Sequence, residues 1–115
     1  MTSIVRTTTP YSYSAAVRAA DYVFLGLHRG FGDTFDEQLD GALGGVRETL
    51  AGHDVPLEAL VSVHVWLRDI DDLPAMEHGF TRHFHEGEFP ARMTSTTAFI
   101  DDDCMVMIDG VAYTR

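Results

Sequence analysis

Lysine is missing altogether: all eight basic residues among the 115 are arginine. That excludes Schiff-base chemistry on a protein lysine, including anchoring of pyridoxal phosphate, and it excludes a Walker-type phosphate loop. Asparagine is absent too. Cys104 is the single cysteine, which rules out an intrachain disulfide and a cysteine-based zinc site. It follows Asp101-Asp102-Asp103, and nearby negative charge raises a thiol pKa, so Cys104 reads as a core or strand thiol rather than a nucleophile. Positive charge is scarce: the formal net charge is −10. This disfavours nucleic acid, whose phosphates need a basic face, and anionic membrane surfaces for the same reason. No apolar run is long enough to span a bilayer, and the N-terminus lacks a charged-then-apolar signal pattern, so a cytoplasmic protein is expected. No serine sits in a nucleophile-elbow context, which leaves a Ser-His-Asp triad without support.

At 45% hydrophobic content the chain is globular, and its length allows one domain, residues 1–115, with one core. Ile4 to Thr9 is a short β-prone stretch, broken by Pro10, and Ser14 to Arg18 can form a second strand. Tyr22 to His28 reads as a buried strand, in which Gly26 implies a bulge or the close approach of another group. Thr34-Phe35-Asp36-Glu37 is a capping box opening a helix to about Ala51, with Phe35, Leu39, Leu43, Val46 and Leu50 as its apolar stripe and Gly52 as its stop. Gly41, Gly44 and Gly45 interrupt that helix and point to close packing on a sheet. Leu60 to Arg68 alternates, with Val61, Val63, Val65 and Leu67 on one face and Ser62, His64, Trp66 and Arg68 on the other. The second face is too mixed for solvent and too polar for a core; a subunit interface explains it. Asp72 can cap a second helix that carries Leu73, Met76, Phe80 and Phe84 and ends at Gly87.

The stretch Glu88-Phe89-Pro90-Ala91-Arg92 organises the C-terminal half. Pro90 fixes its own φ and pushes Phe89 towards an extended conformation, so a strand over Ala91 to Ile100 is expected. Arg92 alternates with Thr94, Thr96 and Ala98; a guanidinium among small neighbours suits a carboxylate held bidentately, and it equally suits a surface or subunit-interface salt bridge. An acidic turn at Asp101 to Asp103 and a last strand, Met105 to Tyr113, complete the chain. The resulting class is α+β, a mixed sheet with two helices on one face and nothing left in the chain to cover the other. His83 and His85, with His78 upstream, are spaced as a solvated helix end rather than a metal site. His28 and His64 lie on expected strands, where a histidine can act as a general base near neutral pH; for His64 a hydrogen-bonded barrel-interior position is preferred.

Several motifs, in order and over nearly the full length, resemble the Rid (YjgF) family of reactive-intermediate deaminases. Tyr13 to Asp21 (YSAAVRAAD) resembles the family's Y-S-x-A-V-R-A-G-D, Glu37-Gln38 its E-Q, and Val65 to Asp69 its V-Y-L-x-D. Phe89-Pro90-Ala91-Arg92 matches F-P-A-R, and Ile108 to Ala112 resembles I-E-x-I-A. The resemblance implies a chorismate-mutase-like fold, a homotrimer closed through the uncovered sheet faces, and sites in clefts between subunits. It implies hydrolysis of imines or enamines such as 2-aminoacrylate to 2-keto acids and ammonia, the chemistry of a 2-iminobutanoate/2-iminopropanoate deaminase, with no metal or organic cofactor. Arg92 matches the family's carboxylate-holding arginine, Tyr13 a cleft tyrosine, and backbone groups near Thr94 would help to orient the substrate.

The chain also departs from the pattern. Gly26 stands where the family has a cleft serine, His28 where it has a glutamine, and Glu77 where it has an asparagine. Met107 stands where a glutamate orients the attacking water, and a thioether cannot activate water. His28, or a water held by Asp109, would have to serve instead. Asp109 lies two residues further, about 7 Å along the strand. The activity therefore stays open: a divergent Rid-like enzyme, a non-hydrolytic trimeric binder of small keto or amino acids, or else altered chemistry such as tautomerisation in biosynthesis.

Overall fold

The structure is a computed structural model and describes residues 3–115. Among these, six strands and two α-helices form: β1 (Ile4–Thr8), β2 (Ser14–Ala19), β3 (Tyr22–His28), α1 (Phe35–Ala51), β4 (Leu60–Leu67), α2 (Leu73–Phe80), β5 (Ala91–Thr96) and β6 (Val106–Tyr113). The strands make one sheet in the order β1-β2-β3-β6-β4-β5. Only β4 and β5 run parallel, as the intervening α2 allows; the other neighbours are antiparallel. This is the expected α+β class, a mixed sheet with both helices on one face.

Helix α1 begins where the capping box places it. Thr34 Oγ1 accepts the Glu37 N–H (3.1 Å), and the Thr34 hydroxyl donates back to Glu37 Oε1 (3.0 Å). Phe35, Leu39, Leu43, Val46 and Leu50 are all buried, and the helix packs on β3, β6 and α2. The core joins this stripe to Val23, Leu25, Val63, Val65, Leu67, Val106 and Ile108 from the sheet. The glycines of α1 divide. Gly41 lies against Gly30 in the loop after β3, with only 2.9 Å between the Gly30 Cα and the position a Gly41 Cβ would take. Gly44 faces open space, so close packing does not explain it. The helix stops at Gly52 as expected, but Gly52 itself stays in the right-handed region (φ −63°) and the left-handed turn falls on Asp54 (φ 58°).

Three boundaries differ from the sequence pattern. In β4 the register slips between Leu60 and Ser62, which turns Leu60 into the core and leaves Val61 47% exposed; the aliphatic face is Leu60, Val63, Val65 and Leu67. Helix α2 ends at Phe80 rather than Gly87. A tight turn follows, with the Arg82 N–H on Gly79 O and the Phe84 N–H on Phe80 O, and it still buries Phe84 against the Phe80 ring (centroids 5.6 Å apart). The Asp72 side chain makes no capping bond to α2; the preceding turn is capped by Asp69, which accepts the Asp71 N–H. Strand β5 ends at Thr96 rather than Ile100, because its parallel partner β4 ends at Leu67; the Thr97 N–H on Leu67 O (2.9 Å) is the last bond of that ladder.

The face away from the helices carries Tyr22, Phe24, Met93 and Tyr113, all exposed, and Trp66, His64, Met107 and Asp109, half-buried. Trp66 stacks on His64 (3.8 Å, 4°) and donates its indole N–H to Asp109 Oδ2 (2.9 Å), while His64 Nε2 meets the Ser95 hydroxyl (3.1 Å). Nothing in the described residues covers this face. Among the described residues, no helix is long and apolar enough to cross a membrane.

Candidate functional site

The residues singled out from the sequence separate into two groups on opposite faces of the sheet. Arg92 pairs in register with Val63 and Thr94 with Val65, so both side chains take the helix-covered face at the edge of the sheet. There Arg92 Nε donates to Thr94 Oγ1 (3.0 Å) and Nη2 to Glu77 Oε1 of α2 (2.5 Å). Its guanidinium carbon stands 5.7 Å from the centre of the Phe80 ring, a cation–π distance. Thr94, Glu77 and Phe80 thus hold the Nε–Nη2 side of the fork. Among the described residues Nη1 has no partner, which leaves the Nη1–Nη2 end facing outwards.

Tyr13, Gly26 and Met107 meet elsewhere, on the open face. They line a hollow of about 730 Å³ together with Ser14, Leu27, Arg29, Trp66 and the β5–β6 loop from Thr97 to Asp101. That volume is in the range of small-molecule sites. Its walls are mainly apolar, with Leu27, Phe99, Ile100 and Met107 facing it; Ile100 is fully exposed at the lip. Gly26 has a local reason to be glycine: a Cβ there would stand 3.2 Å from the Ser14 carbonyl oxygen.

His28 does not join this hollow. One extra residue of β3 is accommodated between Leu25 and His28 opposite β6, and this bulge brings His28 level with the buried Ile108. Its Nδ1 donates to the Gly26 carbonyl (2.7 Å) and its Nε2 meets the Thr49 hydroxyl of α1 (2.8 Å). The ring is consumed in holding strand to helix. Asp109 is on the open face but outside the hollow, engaged by the Trp66 indole.

The hollow depends on residues that sequence reasoning left out. Gln38 is fully buried in α1 and ties three backbone groups together: Nε2 donates to Gly32 O (3.1 Å) and Asp103 O (2.8 Å), and Oε1 accepts the Met105 N–H (2.8 Å). The available signal was a polar residue inside an apolar stripe. Arg29 donates to Asp101 Oδ2 (2.9 Å) and to Asp103, and lies over the Phe31 ring (4.1 Å). The hydrogen bond from Arg29 holds the Asp103 carboxyl below its ordinary value, and the Asp103 partner raises Arg29 in turn. Arg68 donates to the carbonyls of Asp101 and Asp102. The acidic run is thereby a fixed wall, clamped by two arginines and a glutamine. Cys104 is buried within it, its thiol pushed up by burial. His83 meets Asp40 Oδ1 (2.7 Å) beside Arg82; burial raises the Asp40 carboxyl, but these two partners outweigh it and hold it below its ordinary value. No cluster of three metal-ligating side chains occurs among the described residues.

The family model described as Endoribonuclease L-PSP matches residues 4–114. The chain belongs to this family. No curated protein matches it. Among solved structures, a YjgF-family protein of Neisseria meningitidis superposes with a TM-score of 0.92 at 27% identity, covering 98% of this chain and 96% of the other. A YjgF-family member from Streptococcus pyogenes gives 0.90 at 27% identity, covering 100% and 99%. RidA from an Antarctic Psychrobacter gives 0.84 at 21% identity, covering 94% and 93%, a likeness of fold. Within this L-PSP (YjgF/Rid) fold, Arg92 at the sheet edge and the hollow on the open face are the two features with chemistry to offer.

Proposed function

We propose that this chain is a Rid-like protein acting on a small carboxylate that carries an imine or enamine carbon, at sites completed between copies of the chain. The observation that carries the proposal is the separation just described. A prearranged guanidinium end stands on one face of the sheet, and a small-molecule hollow opens on the other. One chain cannot close both around a single small ligand. A second copy, with its Arg92 edge beside the first copy's hollow, can. Tyr22, Phe24, Met93 and Tyr113 on the open face favour the same arrangement, since an uncovered aromatic patch is unusual on a small domain. Three copies with these faces inward make a closed ring, the homotrimer that the resemblance implies.

In this reading the ligand carboxylate lies on the Nη1–Nη2 end of Arg92, with the rest of the ligand extending into the neighbour's hollow near Tyr13, Gly26 and Met107. Hydrolysis would add water to the iminium carbon and release ammonium. An iminium carbon is electrophilic enough to need chiefly orientation and an oriented water. The assay is keto-acid release from 2-aminoacrylate generated in place by a dehydratase. Acceleration over buffer that disappears in Arg92→Ala is the expected result; no acceleration removes the deaminase.

A second reading, a trimeric binder without hydrolysis, is favoured by Met107 in the hollow and by the prior engagement of His28 and Asp109. No free base then faces the ligand. Calorimetry against small keto and amino acids separates the two. Binding that needs Arg92, without turnover of any ligand, supports the binder; any turnover excludes it.

A further inference from the structure

We propose that Glu77 makes the Arg92 site selective for carboxylates flanked by a cationic nitrogen and turns away plain keto acids. This rests on the Arg92 carboxylate site proposed above. Glu77 Oε1 stands 2.5 Å from Arg92 Nη2, so the guanidinium already carries one carboxylate. The two charges cancel, and a simple anion arriving at the open Nη1–Nη2 end gains an arginine but meets a carboxylate on the same nitrogen. The Glu77 side chain is 55% exposed, so it is turned to solvent beside Arg92 rather than into the core and is open to a ligand there. Two carboxylates sharing one guanidinium repel each other unless a positive group lies between them. An α-ammonium or iminium nitrogen, one bond from the carbon that bears the ligand carboxylate, supplies that charge. The Glu77–Arg92 pair therefore offers a negative and a positive pole to a ligand with the reverse pair.

The selection has a direction along a reaction. Hydrolysis of the iminium runs R–C(=NH2+)–COO− + H2O → R–C(=O)–COO− + NH4+. The organic substrate is a zwitterion; the organic product has lost its cationic nitrogen and keeps its carboxylate. Glu77 then faces an uncompensated anion, which favours departure of the keto acid and limits product inhibition. The carboxylate of Glu77 touches the ligand's nitrogen and takes no proton, so it is a specificity-determining residue.

The test compares two stable ligands on one carbon skeleton: alanine, whose α-ammonium stands in for the iminium, and pyruvate, the keto acid. Dissociation constants are measured by ligand-detected NMR titration for the wild type, Glu77→Gln and Arg92→Ala. Glutamine keeps an acceptor for Arg92 while removing the charge, and the exposed position makes a folding defect easy to separate by circular dichroism. The wild type is expected to prefer alanine by about tenfold, and Glu77→Gln to erase that preference chiefly by tightening pyruvate. An alanine-to-pyruvate ratio unchanged in Glu77→Gln, with both ligands lost in Arg92→Ala, overturns the role of Glu77 and leaves the carboxylate site standing. Binding of both ligands unaffected by Arg92→Ala, or no binding to the wild type at millimolar ligand, overturns the carboxylate site and the Glu77 assignment together.

Discussion

Replacing Gln38 with leucine tests whether the hollow's wall is held by hydrogen bonds or only by packing. The substitution keeps volume and removes three bonds at once, to Gly32 O, Asp103 O and the Met105 N–H. A buried backbone group that loses its partner costs about 1–3 kcal/mol. Gly32 and Met105 are half-buried and Asp103 is exposed, so water recovers part of that loss. Leucine also adds apolar burial. The net expectation is about 2 kcal/mol of destabilisation, a fall in Tm of about 8 °C for a chain of this size. Gln38→Glu separates hydrogen bonding from shape: it keeps the acceptor for Met105 but sets a carboxylate against two carbonyls. It is expected to be worse than leucine, because the second carboxylate oxygen would be buried against two carbonyls with no donor of its own. Urea unfolding at matched protein concentration measures both, since assembly contributes to apparent stability. Ligand titration should show weakened binding in Gln38→Leu beyond any unfolded fraction, because the Asp101 to Asp103 wall loses its tie to α1. A leucine variant within about 0.5 kcal/mol of the wild type, or a glutamate variant as stable as the wild type, would refute the reasoning.

Trp66→Glu places a charge on the open face beside Asp109 and should yield folded, smaller species that no longer bind ligand; light scattering should give roughly three times the 12.8 kDa chain mass for the wild type. A wild type that scatters as a folded monomer contradicts the shared site. The Arg29–Asp103 pair predicts an acid-dependent contribution to stability. The folded Asp103 carboxyl sits below its ordinary value of 3.8 because Arg29 bonds it, so the contribution is complete above that value and is lost as pH falls through the lower, folded value. Asp103→Asn should therefore be less stable than the wild type at neutral pH, with the two stability curves converging in acid. Parallel curves over that range would count against the pair.

Helix α1 was legible because two independent signals agree on it, a capping box and an unbroken stripe from Phe35 to Leu50. The later boundaries were hidden for specific reasons. Phe80 and Phe84 keep the helical spacing of four although the chain between them is a turn, so the apolar pattern outlasts the helix. Thr97 continues the strand-like preference past Thr96, but β5 has no further ladder partner because β4 ends at Leu67. For the site, alternation indicates that Arg92 and Thr94 share a face but not which face. That depends on the register with Val63 and Val65, a pairing between distant segments. Glu77 was matched to a cleft position, yet its contact with Arg92 follows only once the fold brings α2 and β5, distant in the chain, within side-chain reach. The partners of the hollow's clamp could not be read because Gln38 acts on backbone groups; the sequence shows only a polar residue inside the apolar stripe of α1.

The bulge in β3 works as a change of phase. Up to Leu25 the strand alternates in step with β6; after one extra residue it resumes half a period out, so His28 falls opposite Ile108. Which side chains meet the hollow is thus decided by the length of the backbone between two register points rather than by which residue stands at position 28. Changing His28 leaves the chemistry of the hollow alone and is felt instead through Thr49, as a loosened seat for α1. Deleting one residue at Leu27 would remove the bulge yet leave the imidazole opposite Ile108, on the helix side of the sheet. The glycine at 26 leaves room for β2 beside the bulge, since no Cβ stands there to press on the Ser14 carbonyl.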